Sequence, residues 1–138
     1  MKLLEKLLDL FRKNDSKGIE TIRDIHYDFQ VADIKDFCLH NLLKESEESI
    51  EGEMFLARAD EIGNPAGEDE LDWLLANQEQ IPKEWQKRRI ILTGYIMDTE
   101  FGWGLPYCLF FINGQWHRDH RWLFRGFTKN DRLLTVCK

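Results

Sequence analysis

The segment PYCLFFINGQWHRDHRWLF, residues 106–124, decides the fold that this sequence predicts. Asn113-Gly114 near its centre is the strongest turn signal in the chain, because a type I′ turn requires positive φ at both central positions. A two-residue turn at this point pairs Phe111 with Trp116 and sets the register of both flanking strands. We therefore expect an antiparallel β-hairpin.

One face of this hairpin carries the candidate binding residues. Side chains alternate between the two faces of a strand, so the predicted register places five of them together: Tyr107, Trp116, Arg118, His120 and Trp122. In one interpretation they are structural, with Arg118 stacked on Trp116 or Trp122 and paired with a carboxylate from the acidic residues 45–72. In the other they line a shallow pocket for an anion or a planar ligand. The sequence leaves both interpretations open.

Hydrophobic periodicity predicts helices ahead of the hairpin and further strands around it. Apolar residues recur at helical spacing in residues 3–11, 19–29, 34–42, 54–62 and 71–75, and Pro82 opens a further short turn. Residues 90–97 are apolar on both parities, which is typical of a strand buried on both faces. Gly94 inside this strand indicates a bulge or a close backbone contact. Residues 115–124 and 133–137 complete the predicted strands.

These elements predict one α+β domain that spans residues 1–138. Its N-terminal helices, within residues 1–86, are expected to pack on a C-terminal antiparallel sheet of about four strands, which lies within residues 88–138. Apolar residues make up 43% of the chain, which is enough to build one core.

Charge is distributed unevenly along the chain, whose net charge is −6. Residues 45–72, hereafter the acidic segment, contain eleven acidic residues and one basic residue, Arg58. Residues 83–138, hereafter the basic segment, contain ten basic and five acidic residues. Either the two segments neutralise each other within one molecule, or one of them meets a charged partner.

The composition also indicates a cellular compartment. No apolar run approaches the ~20 residues that a bilayer-spanning helix requires, and residues 1–13 lack the continuous apolar block of a secretory signal. Cys38, Cys108 and Cys137 are odd in number and far apart, which argues against a disulfide framework and for a reducing compartment. We therefore expect a cytoplasmic protein that does not bind membranes.

Patterns that would indicate catalysis or metal binding are weak. His117 and His120 are three residues apart, so on a flat strand they point to opposite faces and cannot share a metal ion. No spacing indicates a nucleophile with its base. We therefore expect no catalytic residue, no metal site and no cofactor, and a binding protein rather than an enzyme.

A short motif in the same region resembles the ββα-metal (HNH) nucleases. It consists of Asp119-His120, Gly126, Asn130 and Leu133-Leu134. The resemblance implies that His120 is a general base and that Asn130 orients the loop. The spacing from His120 to Asn130 is short for that family, and the family's later metal-binding His has no counterpart before Lys138.

A broader resemblance covers residues 70–131. Its motifs are Leu74-Leu75-Ala76-Asn77-Gln78, Ile81-Pro82-Lys83-Glu84-Trp85, Gly114-Gln115-Trp116 and Arg121-Trp122-Leu123. In these motifs the chain resembles a Trp-rich group of short uncharacterised bacterial proteins. The resemblance implies one foldable unit with the hairpin as its signature, and it implies no substrate, reaction or partner.

The leading functional hypothesis is a small acidic cytosolic protein that binds another protein, as an inhibitor, an immunity-type protein or a regulatory module. The aromatic–Arg face of the hairpin would form the interface, and the acidic segment would mimic nucleic acid against a basic enzyme. The main alternative is single-stranded nucleic-acid binding by the same face. In that case phosphates would be neutralised by Arg118, Arg121, Arg125, Lys129 and Arg132. An HNH-like metal nuclease is a third alternative, and the sequence predicts no oligomeric state.

Overall fold

A computed structural model describes residues 21–98 and 104–137, and its main feature is a six-stranded mixed β-sheet. The strands in these ranges are β1 (Thr21–Asp24), β2 (Phe37–His40), β3 (Ser49–Ile50), β4 (Arg89–Met97), β5 (Leu105–Ile112), β6 (Gln115–His120), β7 (Phe127–Thr128) and β8 (Asp131–Val136). The α-helices are α1 (Gly52–Ile62) and α2 (Glu68–Ala76), and short 3₁₀ helices cover Ile34–Asp36, Gln78–Gln80 and Lys83–Lys87. Among the residues described, no helix is long and apolar enough to cross a bilayer.

The central strand, β4, has three neighbours. The strand order is β2-β8-β4-β5-β6, and β1 pairs with β4 as well. β8 runs parallel to the first half of β4, with Ile90 opposite Arg132, whereas β1 runs antiparallel to its second half, with Tyr95 opposite Asp24. β5 lies antiparallel along the other edge of β4, and β3 and β7 form a separate two-stranded sheet.

The sheet is covered on both faces, and the alternation of side chains along its strands separates two cores. Ile90 and Leu92 of β4 pack in the core beneath α2, which contributes Leu71. Ile91, between them, packs in the opposite core with Phe55 of α1. All five side chains are fully buried. The prediction of a strand buried on both faces is therefore confirmed.

The hairpin of β5 and β6 has the predicted register. Phe111 lies opposite Trp116, and the same offset continues to His120 at the end of β6. Asn113 and Gly114 at the turn have φ values of 52° and 79°, as a type I′ turn requires. The predicted turn and the predicted pairing are both confirmed.

The predicted architecture is wrong in its arrangement, although helices and a sheet are both present. The main sheet has six strands rather than about four, and it is mixed rather than antiparallel because β8 joins β4 in parallel. The α-helices of the described ranges lie between β3 and β4 rather than ahead of the sheet. The helix predicted in residues 3–11 lies outside the described residues.

Two predicted helices are strands instead. Residues 19–29 supply β1, and residues 34–42 form one 3₁₀ turn before Phe37–His40 pairs with β8. Side chains of Asp33 and Asp36 cap that turn, but the helix does not continue beyond it. Pairing with a buried sheet overrides local helical spacing here. The helices predicted in residues 54–62 and 71–75 are confirmed as α1 and α2.

Cys38 and Cys137 form a disulfide that joins the edge strand β2 to the end of β8. Cys38 lies opposite Thr135, so Cys137 is its diagonal neighbour across the ladder, and the two Cα atoms are 5.9 Å apart. The prediction that the odd set of cysteines argues against disulfides is therefore wrong. The two cysteines are 99 residues apart in the sequence. They come together only because β2 pairs with β8. Cys108 is a free thiol buried in the core.

Gly94 marks the point where β4 meets the chain that leads into α2. Its N–H donates to the carbonyl of Ala66 at 2.7 Å, and its own carbonyl accepts from the N–H of Ile25 at 2.7 Å. The register between β4 and β5 shifts between Leu92 and Ile96, so the bulge or close contact predicted at Gly94 is confirmed. A Cβ at this position would lie 2.6 Å from the carbonyl oxygen of Ala66.

Replacing Gly94 by Ala is expected to lower the free energy of unfolding by about 1–3 kcal/mol, the usual cost of overpacking. The added methyl group meets backbone atoms, which cannot rotate away as a side chain can. Urea unfolding followed by tryptophan fluorescence measures the change. Gly126→Ala is the matched control, because the nearest atom to its added Cβ is 3.9 Å away. Equal stability of Gly94→Ala and the wild type would contradict the close contact.

Removing the disulfide by Cys38→Ser is expected to lower the free energy of unfolding by about 2–4 kcal/mol, because the bridge restricts a long loop of the unfolded chain. Urea unfolding under non-reducing conditions measures this loss, and an excess of a dithiol reductant should bring the wild type to the stability of the variant. Thiol titration of the denatured, unreduced wild type should detect Cys108 alone. Three reactive thiols in that titration would show that the bridge does not form.

Candidate binding site

Four of the five predicted binding residues lie on β5 and β6, but the core covers part of their face. Trp122 lies outside these strands, because β6 ends at His120 instead of continuing to residue 124 as predicted. Tyr107 and Trp116 are buried, and Trp116 is only 4% exposed. The backbone N–H of Trp116 donates to the Oε1 of Gln78, 3.0 Å away, in the chain that follows α2. Arg118 is half exposed, and His120 and Trp122 are partly buried. Two of the five side chains are thus closed to a large ligand.

Tyr107 is the centre of this group. Its ring stacks between those of Tyr95 and His120, at centroid distances of 5.0 and 4.9 Å. Its hydroxyl donates to the Oε2 of Glu68 at 2.8 Å, and burial together with that carboxylate raises the pKa of Tyr107. The ring is therefore held on both faces and at its polar end, as a structural residue would be.

Arg118 lies over an aromatic ring, as the structural interpretation predicts, but the ring is not one of those predicted. Its guanidinium lies 5.7 Å from the ring centroid of Tyr107, whereas the predicted partners were Trp116 and Trp122. Its Nη1 lies 3.6 Å from the Oδ1 of Asp72, a carboxylate of the acidic segment. Both side chains of this ion pair are at least half exposed, so the pair contributes little stability.

A cavity of about 510 Å³ opens beside Asp72, between α2 and the chain that follows β1. Three aromatic rings and three carboxyl groups dominate its lining, namely Tyr27, Phe29 and Trp73 with Asp69, Glu70 and Asp72. Gln30 and Val31 complete the wall. Because aromatic faces and carboxylates are both attractive to cations, we take this acidic–aromatic cavity as the candidate binding site.

Helix α2 builds one wall of the cavity from its amphipathic sequence. Leu71 and Leu74 point into the core, so Asp69 and Asp72 fall on the exposed side. Glu70 turns back to the start of the helix, where its Oε1 accepts from the N–H of Gly67 at 2.7 Å. Only 4% of Glu70 is exposed, and burial raises its pKa against the opposing effect of that hydrogen bond.

Residues 25–33 form the other wall without regular secondary structure. Tyr27 stacks on Phe29 at a centroid distance of 5.3 Å, and its hydroxyl donates to the carbonyl of Pro65 at 2.8 Å. Burial and the charge of Glu70 raise the pKa of Tyr27 to about 12. Trp73 packs against Phe37 of β2, with centroids 5.8 Å apart. The rings are thus held by the fold rather than by a ligand.

His26 ties this second wall to α2. Its Nδ1 lies 2.7 Å from the Oδ2 of Asp69, and its Nε2 lies 2.9 Å from the Oδ1 of Asp24. These two carboxylates, Asp69 foremost, raise the pKa of His26 to about 9, so the imidazole is a cation at neutral pH. The structure places His26 half exposed, between two acids.

The described side chains around the cavity carry a surplus of negative charge. Among the side chains described, Asp24, Asp69 and Asp72 face the cations His26 and Arg118. The exposed carboxylates therefore outnumber the cations before Glu70 is counted. A positively charged group would meet a favourable potential at this opening.

The residues of the predicted nuclease motif have structural contacts. His120 is stacked on Tyr107, and burial lowers its pKa. The N–H of Asn130 donates to the Oγ1 of Thr128 at 3.2 Å, and its carbonyl accepts from the N–H of Arg89 at 2.9 Å. In the part of the chain that the structure covers, no three His, Cys, Asp or Glu side chains are grouped to hold a metal ion.

Arg121, a predicted phosphate contact, is also engaged within the protein. Its guanidinium lies 4.7 Å from the ring centroid of Phe127 and donates to the carbonyl of Gly126 at 2.6 Å. Asp131, which is fully buried, lies 3.9 Å from Arg121 and receives two hydrogen bonds from Arg89, at 2.9 and 3.3 Å. These contacts reduce the cationic surface that nucleic acid could use.

Comparison of the chain with protein-family models, with curated proteins and with solved structures found no match. The resemblance of residues 70–131 to Trp-rich bacterial proteins therefore stays a prediction. The chemistry of the cavity itself has to indicate the function.

The sequence did not predict the cavity, although it predicted the helix that forms one of its walls. Glu68, Asp69 and Glu70 directly precede the helix predicted in residues 71–75, and negative charge is favoured at a helix start without any ligand. Residues 19–29 were predicted as a helix, whereas residues 25–33 form an irregular chain. No sequence signal placed that chain against α2, because the contact depends on the pairing of β1 with β4.

The ion pairs of His26 are expected to stabilise the fold in a pH-dependent way. The folded-state pKa is raised from 6.5 to about 9, so the stabilisation is fully present below about pH 6.5 and is lost as the pH rises through about 9. The difference in unfolding free energy between the wild type and His26→Gln should shrink over this range. Urea unfolding at a series of pH values measures it.

An NMR titration of the His26 ring checks the same pKa directly. The partly buried His40, whose pKa burial lowers, is the internal comparison and should titrate at lower pH. Titration of His26 near its ordinary value would contradict the double ion pair, and so would a pH-independent difference between the two proteins.

Proposed function

We propose that this protein acts by binding another protein, and that the partner presents a basic surface to the acidic–aromatic cavity and the exposed side of α2. The observation that carries the proposal is the excess of carboxylates over cations among the described residues around the cavity. Asp24, Asp69 and Asp72 share two cations, His26 and Arg118. Complementary charge would steer such a partner to this surface and set its orientation.

The ion pairs of the acidic segment support a charged partner over internal neutralisation. Within the described ranges, one ion pair joins the acidic segment to the basic segment. It is the pair Arg118–Asp72, which is exposed and 3.6 Å long. Two other acids of the segment pair elsewhere, Asp60 with Arg23 and Glu47 with Arg58. The basic segment therefore compensates little of the acidic charge.

The proposed interface differs from the aromatic–Arg face that the sequence suggested. Tyr107 and Trp116 of that face are buried, so a partner cannot contact them directly. They affect binding only because α2 packs on the same core. The same burial counts against single-stranded nucleic acid, because bases need exposed rings on which to stack. Engagement of Arg121 by Gly126 and Asp131 counts against it too.

An inhibitor or immunity-type role remains part of the proposal. An acidic surface can compete with nucleic acid for the basic cleft of an enzyme. A cytoplasmic location also belongs to the proposal, and the Cys38–Cys137 bridge is the observation that opposes it, because the cytosol keeps most thiols reduced. A thiol count on protein alkylated inside its own cells would decide the compartment.

A direct test compares two labelled probes, an oligolysine peptide and an oligothymidine of equal length, by fluorescence anisotropy at low and at physiological salt. We expect the peptide to bind with an affinity that falls as salt rises, and the oligothymidine not to bind at all. Asp72→Lys should weaken peptide binding by up to about fivefold, because a surface ion pair contributes up to about 1 kcal/mol. Glu84→Lys, an exposed residue outside the cavity, changes the net charge equally and is the matched control.

Three results would contradict the proposal. Oligothymidine binding would favour the nucleic-acid alternative. Equal losses in Asp72→Lys and Glu84→Lys would mean that the peptide responds to net charge and not to this surface. Absence of peptide binding even at low salt would remove the basic partner altogether.

A further inference from the structure

We propose that the acidic–aromatic cavity binds an organic cation, namely the ammonium or guanidinium end of a lysine or arginine side chain that the partner inserts. The inference rests on the proposed function, because it names the chemical group by which a basic partner is anchored. It also goes beyond that function, because a free small cation would bind in the same place.

The aromatic rings of the cavity supply the first part of the argument. Cations are attracted to the faces of Trp, Tyr and Phe rings within about 6 Å of the centroid, and Tyr27, Phe29 and Trp73 all line this space. Each ring is already fixed, by Pro65 for Tyr27, by Tyr27 for Phe29 and by Phe37 for Trp73. A cation would therefore meet preorganised rings, which lowers the entropic cost of binding.

The carboxyl groups of the cavity favour a cationic ligand over a purely apolar one. Asp69 and Asp72 line the opening of the cavity and are more than half exposed, whereas Glu70 lines it from a buried position. A cation that enters would interact with Glu70 through a medium of low polarity, where charge–charge attraction is strong. Among the described residues that line this cavity there is no Lys or Arg, so an anion would meet no positively charged side chain among them.

The size and composition of the cavity match an alkyl chain that ends in a charge. Its volume of about 510 Å³ lies in the range of small-ligand sites. Phe29 and Val31 give it an apolar surface along which the methylene groups of a long side chain can pack. A hydrated metal ion would gain nothing from three rings, and a neutral alkyl group would gain nothing from three acids.

The experiment titrates the 138-residue chain with two cations, N-acetyl-lysinamide and N-acetyl-argininamide, and follows backbone amide signals by NMR. N-acetyl-norleucinamide and N-acetyl-citrullinamide are the neutral controls, because they keep the chain length and remove the charge. We expect both cations to shift the signals of residues 27–31 and 69–73, and the neutral analogues to bind at least tenfold more weakly. Equal binding of neutral and charged analogues would overturn the proposal.

Two variants locate the binding. Trp73→Leu should weaken cation binding by about tenfold, because it removes one aromatic face, whereas Trp73→Phe should retain most of the affinity. Asp72→Asn, on the exposed side of α2, should weaken it without disturbing the core. Trp85→Leu is the matched control for lost core packing, since Trp85 also packs on the α2 core but does not line the cavity.

The outcomes separate this inference from the proposed function. If the small cations bind and Trp73→Leu weakens that binding by about tenfold, but oligolysine does not bind, the cation site is supported and the protein partner is ruled out. Oligolysine binding that Trp73→Leu does not change would leave the acidic surface standing and overturn the cation site. Signal changes spread over the whole protein, or unaffected by both variants, would also overturn it.

Discussion

The burial of β4 on both faces is the constraint on which the rest of the structure depends. Its alternating side chains enter two separate cores, so each face of the sheet has to be covered by other parts of the chain. α1 closes one core and α2 closes the other. The bulge at Gly94 lets the chain before α2 approach the backbone of β4 closely, and this contact determines where α2 begins.

The position of α2 decides which residues remain available for binding. Its inner side covers Tyr107 and Trp116, so the aromatic face of the hairpin becomes core with Arg118 at its rim. Its outer side carries acids next to the chain that follows β1, and the cavity lies between the two. A single helix thus closes the predicted site and creates another one. His26, between Asp24 and Asp69, fixes the second wall in place.

Sequence reasoning succeeded where the signal was local and failed where it was not. The Asn113-Gly114 turn sets its own register, and the strand character of residues 90–97 follows from their composition, so both were predicted correctly. Residues 19–29 and 34–42 have helical spacing, but β1 and β2 add to strands that lie far away in the sequence. The pairing of Cys38 with Cys137 depends on the same distant contacts. Single-sequence periodicity contains no information about them.

By itself, the sequence determined the hairpin and its register, the double burial of β4, the two helices between residues 52 and 76 and the uneven distribution of charge. The hairpin, the strand and the helices depend on residues that are close together in the sequence, and the charge distribution is read from the sequence directly. Only the tertiary structure decided that Trp116 is core, that β8 joins β4 in parallel and that Tyr27, Phe29 and Trp73 meet around three carboxyl groups. The physical reason is that the chain has to cover both faces of the sheet and so fill two cores. Which distant segments pack together to do so cannot be predicted from local sequence patterns.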